Sequence, residues 1–237
     1  MGEHIVKSYE NELAALDRSV GQMGGLAEQL LGQAFEALEQ RNPQLAESAS
    51  NSDKLIDDMQ QQLEEQVVAM IARRQPMASD LRQILAVLKV AGDLERVGDL
   101  AKNIAKRAST IAGVNHPKPL IMGLRHMYEL AAQGLKEALD AYAARDDRKA
   151  IEIWHDDQRI DALYNSLFRE LLTYMMEDPR NIGICTHLLF AAKNIERIGD
   201  HTTNIAETVH FLAKGTTITE ERPKTDRTSS TLIEKIG

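Results

Sequence analysis

Apolar residues recur along this chain at alternating spacings of three and four. Leu13, Leu16, Val20, Met23, Ala27, Leu30, Ala34 and Ala37 form the first such stripe, long enough for the seam of a bundle helix. Arg41-Asn42-Pro43 ends that helix and opens a second, with Pro43 in the first turn. The second helix carries Ile56, Met59, Leu63, Val67 and Met70 and ends near Gln75-Pro76. A third is predicted from about Ser79, an N-cap residue type, to about Ala112, with Ile84, Val87, Ala91, Leu94, Gly98, Ala101, Ala105 and Ala108 on its seam. Residues 113–119 contain two prolines and an asparagine and read as a linker. The pattern then restarts. A fourth helix is expected from about Leu120 to Ala144, a fifth to about Glu177, and after the Asp178-Pro179 break a sixth to about Lys214. Residues 216–237 are rich in Thr, Ser, Glu, Lys and Arg, lack a periodic apolar face, and are expected to be a disordered tail.

The second half repeats the first. Residues 91–105 read AGDLERVGDLAKNIA and residues 192–206 read AKNIERIGDHTTNIA. Eight of the fifteen aligned positions are identical, among them Glu, Arg, Gly, Asp and Asn. A shared helical period explains matching apolar residues; it does not explain matching polar ones. The expected fold is therefore all-α, two tandem, sequence-related three-helix bundles. They span 1–112 and 120–215, joined by the linker 113–119 and followed by the tail 216–237.

Composition supports this. Hydrophobic residues make up 43% of the 237 positions, enough for a packed core, and aromatics only 4%; the dominance of Ala, Leu, Glu, Gln and Arg favours helix over sheet. The net charge of −8 argues against a nucleic-acid partner, which needs a basic face. It leaves room for cations. The lone cysteine, Cys185, permits no internal disulfide and suits a reducing cytoplasm. Neither a signal peptide nor a membrane span is expected, because no apolar run approaches the length of either.

The candidate chemistry lies in carboxylate pairs. Glu95 and Asp99 stand four apart, as do Glu196 and Asp200 in the repeat, so each pair shares one helix face. The preceding helix of each unit carries its own pair, Asp53 with Asp57 and Asp157 with Asp161. Asp57 lies 19 residues before Pro76 and Glu95 lies 19 after it. Asp161 lies 17 before Asp178 and Glu196 lies 18 after it. An antiparallel hairpin then brings the pairs of each unit to one height. Four carboxylates beside one seam repel and call for a cation. A metal held by Asp53, Asp57, Glu95 and Asp99, and another by Asp157, Asp161, Glu196 and Asp200, is one reading. The donors suit Mg²⁺, Mn²⁺ or iron. A salt-bridged network using Arg96 and Arg197 is the other. Gly98 and Gly199, at equivalent positions inside helices, each cost about 1 kcal/mol relative to Ala and point to a close approach of backbone and neighbour.

These doubled E/D-x-x-x-D pairs on two three-helix units resemble the PhoU family, the cytosolic accessory proteins of phosphate-specific transport. The segment Arg74-Gln75-Pro76-Met77-Ala78-Ser79-Asp80-Leu81-Arg82 is similar to that family's signature between its second and third helices. The resemblance covers about residues 5–214. It implies a regulator that restrains phosphate uptake and phosphate-starvation signalling when phosphate is plentiful. The partners it implies are the ATPase subunit of the phosphate ABC transporter and a phosphate-sensing histidine kinase, and it implies metal ions (Mg, Mn, Fe or Zn), bound as multinuclear clusters on the acidic motifs. A homodimer, a cytoplasmic location and no membrane insertion are expected. The turn Asp178-Pro179-Arg180 departs from the fuller signature of the first unit.

Other classes fit less well. No nucleophile elbow, P-loop or Gly-rich phosphate cradle is present, so no enzymatic activity is expected. Glu152–His155 and Glu207–His210 have the E-x-x-H spacing of di-iron carboxylate proteins. Their distances from the fifth–sixth helix turn match poorly, and the first unit has no counterpart. A metal-free helical adaptor is the main alternative. Cys185, Trp154 and His187 are read as core or interface residues.

Overall fold

The computed structural model describes residues 2–115, 117–220 and 222. Six α-helices run through them: α1 (Gly2–Gln40), α2 (Pro43–Arg74), α3 (Ala78–Ile111), α4 (Lys118–Ala144), α5 (Asp147–Glu177) and α6 (Ile182–Lys214). A short 3₁₀ turn, Pro179–Asn181, precedes α6. The order is that of the two predicted three-helix units. Of the predicted tail, residue 221 and residues 223–237 lie outside the described residues.

Local chemistry sets the helix ends. Asn42 accepts hydrogen bonds from the backbone N–H groups of Gln44 and Leu45, and Pro43 follows it at a position where no N–H is needed. Asp146 caps α5 through Lys149 N–H. Asp178 accepts from both the backbone and the guanidinium of Arg180, shaping the 3₁₀ turn. The start of α3 differs from expectation. Met77 is its N-cap and offers no side-chain acceptor, while Ser79 lies inside the first turn with its hydroxyl directed to Asp80. The tight three-residue turn is entered with Gln75 at φ 48° and left with Ala78 at φ 49°, and this moves the helix start ahead of the serine. Helix α4 begins at Lys118, earlier than predicted, with Pro119 accommodated in its first turn.

Every residue of the α1 stripe is buried, as is every residue of the α3 seam. Helix α3 is also buried along a second face through Val90, Val97, Leu100 and Ile104, because it packs on α1, α2 and α6 together. Helix α6 has the same role in its unit, packing on α3, α4 and α5. The two central helices run antiparallel. Lys89 lies over the Phe211 ring, Asp93 meets His201 and Asn204, and Arg107 lies over Phe190, so numbers rise on α3 as they fall on α6. This pairing puts Gly98 and Gly199, and the acids beside them, at about the same height. Helices α1 and α4 close the interface, where Phe35 stacks on Tyr128 with ring centroids 4.3 Å apart. Tyr142 and Gln83 both donate to Asp17, tying α4 and α3 to α1.

Candidate functional site

In the first unit, α2 and α3 bring Asp53, Asp57, Glu95 and Asp99 into one cluster. Asp53 is fully buried. Its Oδ2 accepts a hydrogen bond from Lys102 Nζ, and the same ammonium lies 4.0 Å from Asp99 Oδ1. Arg96 lies 3.4 Å from Glu95 and 3.5 Å from Asp99. Among the described residues, two buried oxygens, Asp53 Oδ1 and Asp57 Oδ1, have no hydrogen-bond donor.

The cluster is electrostatically one object. Burial, then the negative fields of Asp53, Asp99 and Asp58, push the Asp57 carboxyl up, with Lys102 opposing. Burial pushes Glu95 up as well; Arg96 opposes, while Asp99, Asp57 and Asp53 add to the rise. The hydrogen bond to Asp53, aided by the fields of Asp53, Asp99 and Asp57, holds the Lys102 ammonium more firmly protonated than usual against its partial burial.

Gly98 makes the site possible. A Cβ there would lie 2.9 Å from Asp53 Oδ1 and 3.0 Å from Ile56 Cδ1. In the second unit a Cβ on Gly199 would lie 2.9 Å from Ile160 Cδ1. Both glycines let the neighbouring helix, α2 or α5, approach, as their place inside a helix suggested.

In the second unit Asp157 and Asp161 lie on α5 and Glu196 and Asp200 on α6, and all but Asp200 are buried. The counter-ions differ from those of the first unit. The position equivalent to Lys102 is Thr203, whose hydroxyl donates to Asp157 Oδ1 at 3.0 Å. Lys193, equivalent to Gly92, lies 2.8 Å from Glu196. Arg222, beyond the end of α6, pairs with both Asp157 and Asp200. Burial opposes its charge, but the hydrogen bonds to Asp157 and the fields of Asp157, Asp200 and Glu207 outweigh this and hold the guanidinium above its ordinary pKa.

The predicted acids thus lie on the facing helix pairs α2–α3 and α5–α6. Of the counter-ions named from sequence, Arg96 meets Glu95 and Asp99; it and Arg197 are both exposed. Lys102 was legible, since it lies three residues after Asp99 on the same helix face. Arg222 carried no such signal. The E-x-x-H residues do not form one centre. Glu207 accepts from Trp154 Nε1, His210 meets Asp147, and Glu152 lies near Arg148 and Lys149. Cys185 is buried in the core and His187 is half-buried.

The oxygen donors fit a small hard cation, and the two buried carboxylate oxygens without a hydrogen-bond donor mark where the first unit has capacity for one. Among the described residues no three His, Cys, Asp or Glu side chains are drawn together around a single point. As placed, the acids are arranged about ammonium and guanidinium groups.

Comparison with known proteins decides the family. A model described as the PhoU domain matches twice, at residues 20–108 and 124–209. The chain belongs to the PhoU family. It is 54% identical over 227 residues to the phosphate-specific transport system accessory protein PhoU homolog of Rhizobium meliloti, covering 96% of each chain. It is 37% identical over 215 residues to the PhoU accessory protein of Escherichia coli, covering 91% of this chain and 89% of that one. The crystal structure of PhoU from Pseudomonas aeruginosa superposes with a TM-score of 0.85 at 38% identity, covering 88% of this chain and all of that one. PhoU proteins are regulatory accessory proteins, and the chain is not an enzyme. No helix among the described residues is long and apolar enough to cross a membrane.

Proposed function

We propose that this PhoU-family chain works in the cytoplasm as a regulator of phosphate homeostasis. It restrains phosphate uptake and starvation signalling when phosphate is plentiful, through contacts with the transporter's ATPase subunit and a phosphate-sensing histidine kinase. It acts as a homodimer. The reading rests on one observation above all: near-full-length similarity to curated phosphate-transport accessory proteins, with both domain matches present. Uptake of labelled phosphate by cells lacking the chain, grown in abundant phosphate, tests it. Uptake should rise on deletion and fall when the chain is restored. Uptake indifferent to the chain refutes the regulatory role.

The two acidic clusters are the proposed metal centres, held by Asp53, Asp57, Glu95 and Asp99 and by Asp157, Asp161, Glu196 and Asp200. A bound divalent or trivalent ion, such as Mg, Mn, Fe or Zn, would neutralise carboxylates that otherwise repel. A second reading, a metal-free helical adaptor, is favoured by the organic cations already meeting the acids: Lys102 and Arg96 in one unit, Lys193 and Arg222 in the other.

A further inference from the structure

The two acidic centres are neutralised from different sources. In the first unit the cation meeting the buried aspartate is Lys102, on α3 itself. In the second unit the equivalent position holds Thr203, which can donate one hydrogen bond but carries no charge. The missing charge arrives from outside the bundle. Arg222 Nε donates to Asp157 Oδ2 at 2.9 Å and Nη2 to Asp157 Oδ1 at 3.0 Å, a two-pronged grip on one carboxylate. The same Nη2 lies 3.0 Å from Asp200 Oδ1 and 3.3 Å from the Asp200 carbonyl oxygen. Arg222 therefore bridges α5 and α6 with its side chain only 17% exposed.

The path of the chain is constrained by this contact. Helix α6 ends at Lys214, and Gly215, at φ 77°, turns the chain out of it. Along the helix, Asp200 lies roughly 21 Å back from Lys214, at about 1.5 Å per residue. The eight residues from Lys214 to Arg222 reach at most about 26–29 Å when fully extended. The chain must therefore double back along α6 for the Arg222 guanidinium to reach Asp157 and Asp200. Thr217 and Ile218 do so, lining the cleft between α3 and α6 with Leu88, Gly92, Thr208 and Phe211. The segment is thus a strap fastened at one end by the helix and at the other by Arg222.

We infer that Arg222 is a tethered cation of the second acidic centre. It competes with a divalent cation for Asp157 and Asp200, so that cation binding at this unit releases the strap, while the first unit binds without such a cost. The inference rests on the metal reading above. Linkage makes the effect reciprocal: whatever holds the strap weakens the cation, and the cation weakens the strap to the same degree.

The test uses the full chain, Arg222→Ala and the charge-conserving Arg222→Lys. Hydrogen exchange at residues 215–220 reports the strap. Mn²⁺ titration, with each chain also carrying Glu95→Ala and Asp99→Ala, reports the second centre. Arg222→Ala should lose the protection of 215–220 and bind Mn²⁺ at least ~10-fold more tightly. Arg222→Lys should fall between it and the wild type, because an ammonium keeps the charge without the fork. Mn²⁺ should speed exchange at 215–220 in the wild type. Protection that survives in Arg222→Ala overturns the strap. Mn²⁺ that binds equally with and without Arg222 overturns the competition and leaves the metal reading standing. Mn²⁺ that binds none of these chains overturns the competition together with the metal reading of the second centre.

Discussion

Gly98 and Asp53 lie on facing helices so close that a single methyl on the glycine would stand 2.9 Å from the aspartate's Oδ1. The fully buried Asp53 is thus fixed by the bare backbone opposite it as well as by Lys102. On helix propensity alone, Gly98→Ala should gain about 1 kcal/mol. Overpacking against Asp53 and Ile56 costs about 1–3 kcal/mol and should dominate, giving a net loss. Gly92, two turns earlier on α3, has nothing within 4 Å of its Cβ position. Gly92→Ala should therefore stabilise by about 0.5–1 kcal/mol. Urea unfolding of the two variants should move the midpoint in opposite directions. A gain in both would mean that Gly98 is not held by its neighbours.

Burial of the first cluster, reinforced by repulsion among its acids, makes stability depend on pH in a defined direction. Asp57 and Glu95 both hold their protons to higher pH in the folded chain than in the unfolded one. The folded state then binds more protons across this window, and stability falls as pH rises from the ordinary carboxyl range through the raised values. The deficit is complete at pH 7. Asp57→Asn and Glu95→Gln should each stabilise the chain at pH 7 by a few tenths of a kcal/mol, the usual size of such repulsion. The gain should shrink as pH falls through the ordinary carboxyl range and vanish below it, at about pH 2–3. Thermal melts across that range check the sign, and a gain that grew toward acid would contradict it.

Lys102 is the keystone of the same cluster. Removing it leaves Asp53 buried without its cation, and an uncompensated buried charge of this kind costs about 3–5 kcal/mol. Partial exposure of Lys102, at 28%, lowers the expected loss for Lys102→Met to about 2 kcal/mol. Adding Asp53→Asn should recover most of that loss, because the charge is then gone from both sides. A double-mutant cycle measures this coupling. Additive losses would show that the Lys102–Asp53 contact carries no net stability.

Much of this was readable from the chain alone, and the reasons are physical. The α1 stripe and the repeat of residues 91–105 at 192–206 depend on local periodicity and identity, so six helices in two units followed directly. In the first unit the acids feel one another across α2 and α3, because the distance to a hairpin turn fixes height along two antiparallel helices. What escaped prediction depended on contacts between distant parts of the sequence. Arg222 reaches Asp157 across 65 residues, from a segment with no periodicity to place it. Lys193 and Thr203 break the repeat at positions where an alignment registers only mismatches, yet they redistribute the charge of the second centre. Ser79 misled because the cap preference of serine is weaker than the geometry of the turn between Gln75 and Ala78.

Metal at the two centres should be separable by mutation. Carboxylates four apart on one helix, facing a second such pair, can chelate or bridge a cation, and the bound charge relieves their repulsion. Glu95→Ala with Asp99→Ala should abolish metal at the first unit and spare the second. Glu196→Ala with Asp200→Ala should do the reverse. Helicity should persist in the first pair, since Glu95 and Asp99 are only partly buried and Ala is the better helix former. The second pair should be less tolerant. Glu196 is only 4% exposed beside Lys193, and Asp200 holds Arg222, so some stability is lost along with the metal site. Circular dichroism on each variant separates that loss from a change in metal content. Elemental analysis and Mn²⁺ titration of the wild type, both pairs and the quadruple variant complete the test. Equal metal in the wild type and the folded quadruple variant would refute the centres and leave the salt-bridge network of Lys102, Arg96, Lys193 and Arg222 as the account of these acids. Binding of the same four proteins to the transporter ATPase then separates the roles. Unchanged binding by a metal-free, folded variant would make the helical surface the recognition element and confine the cation to stability.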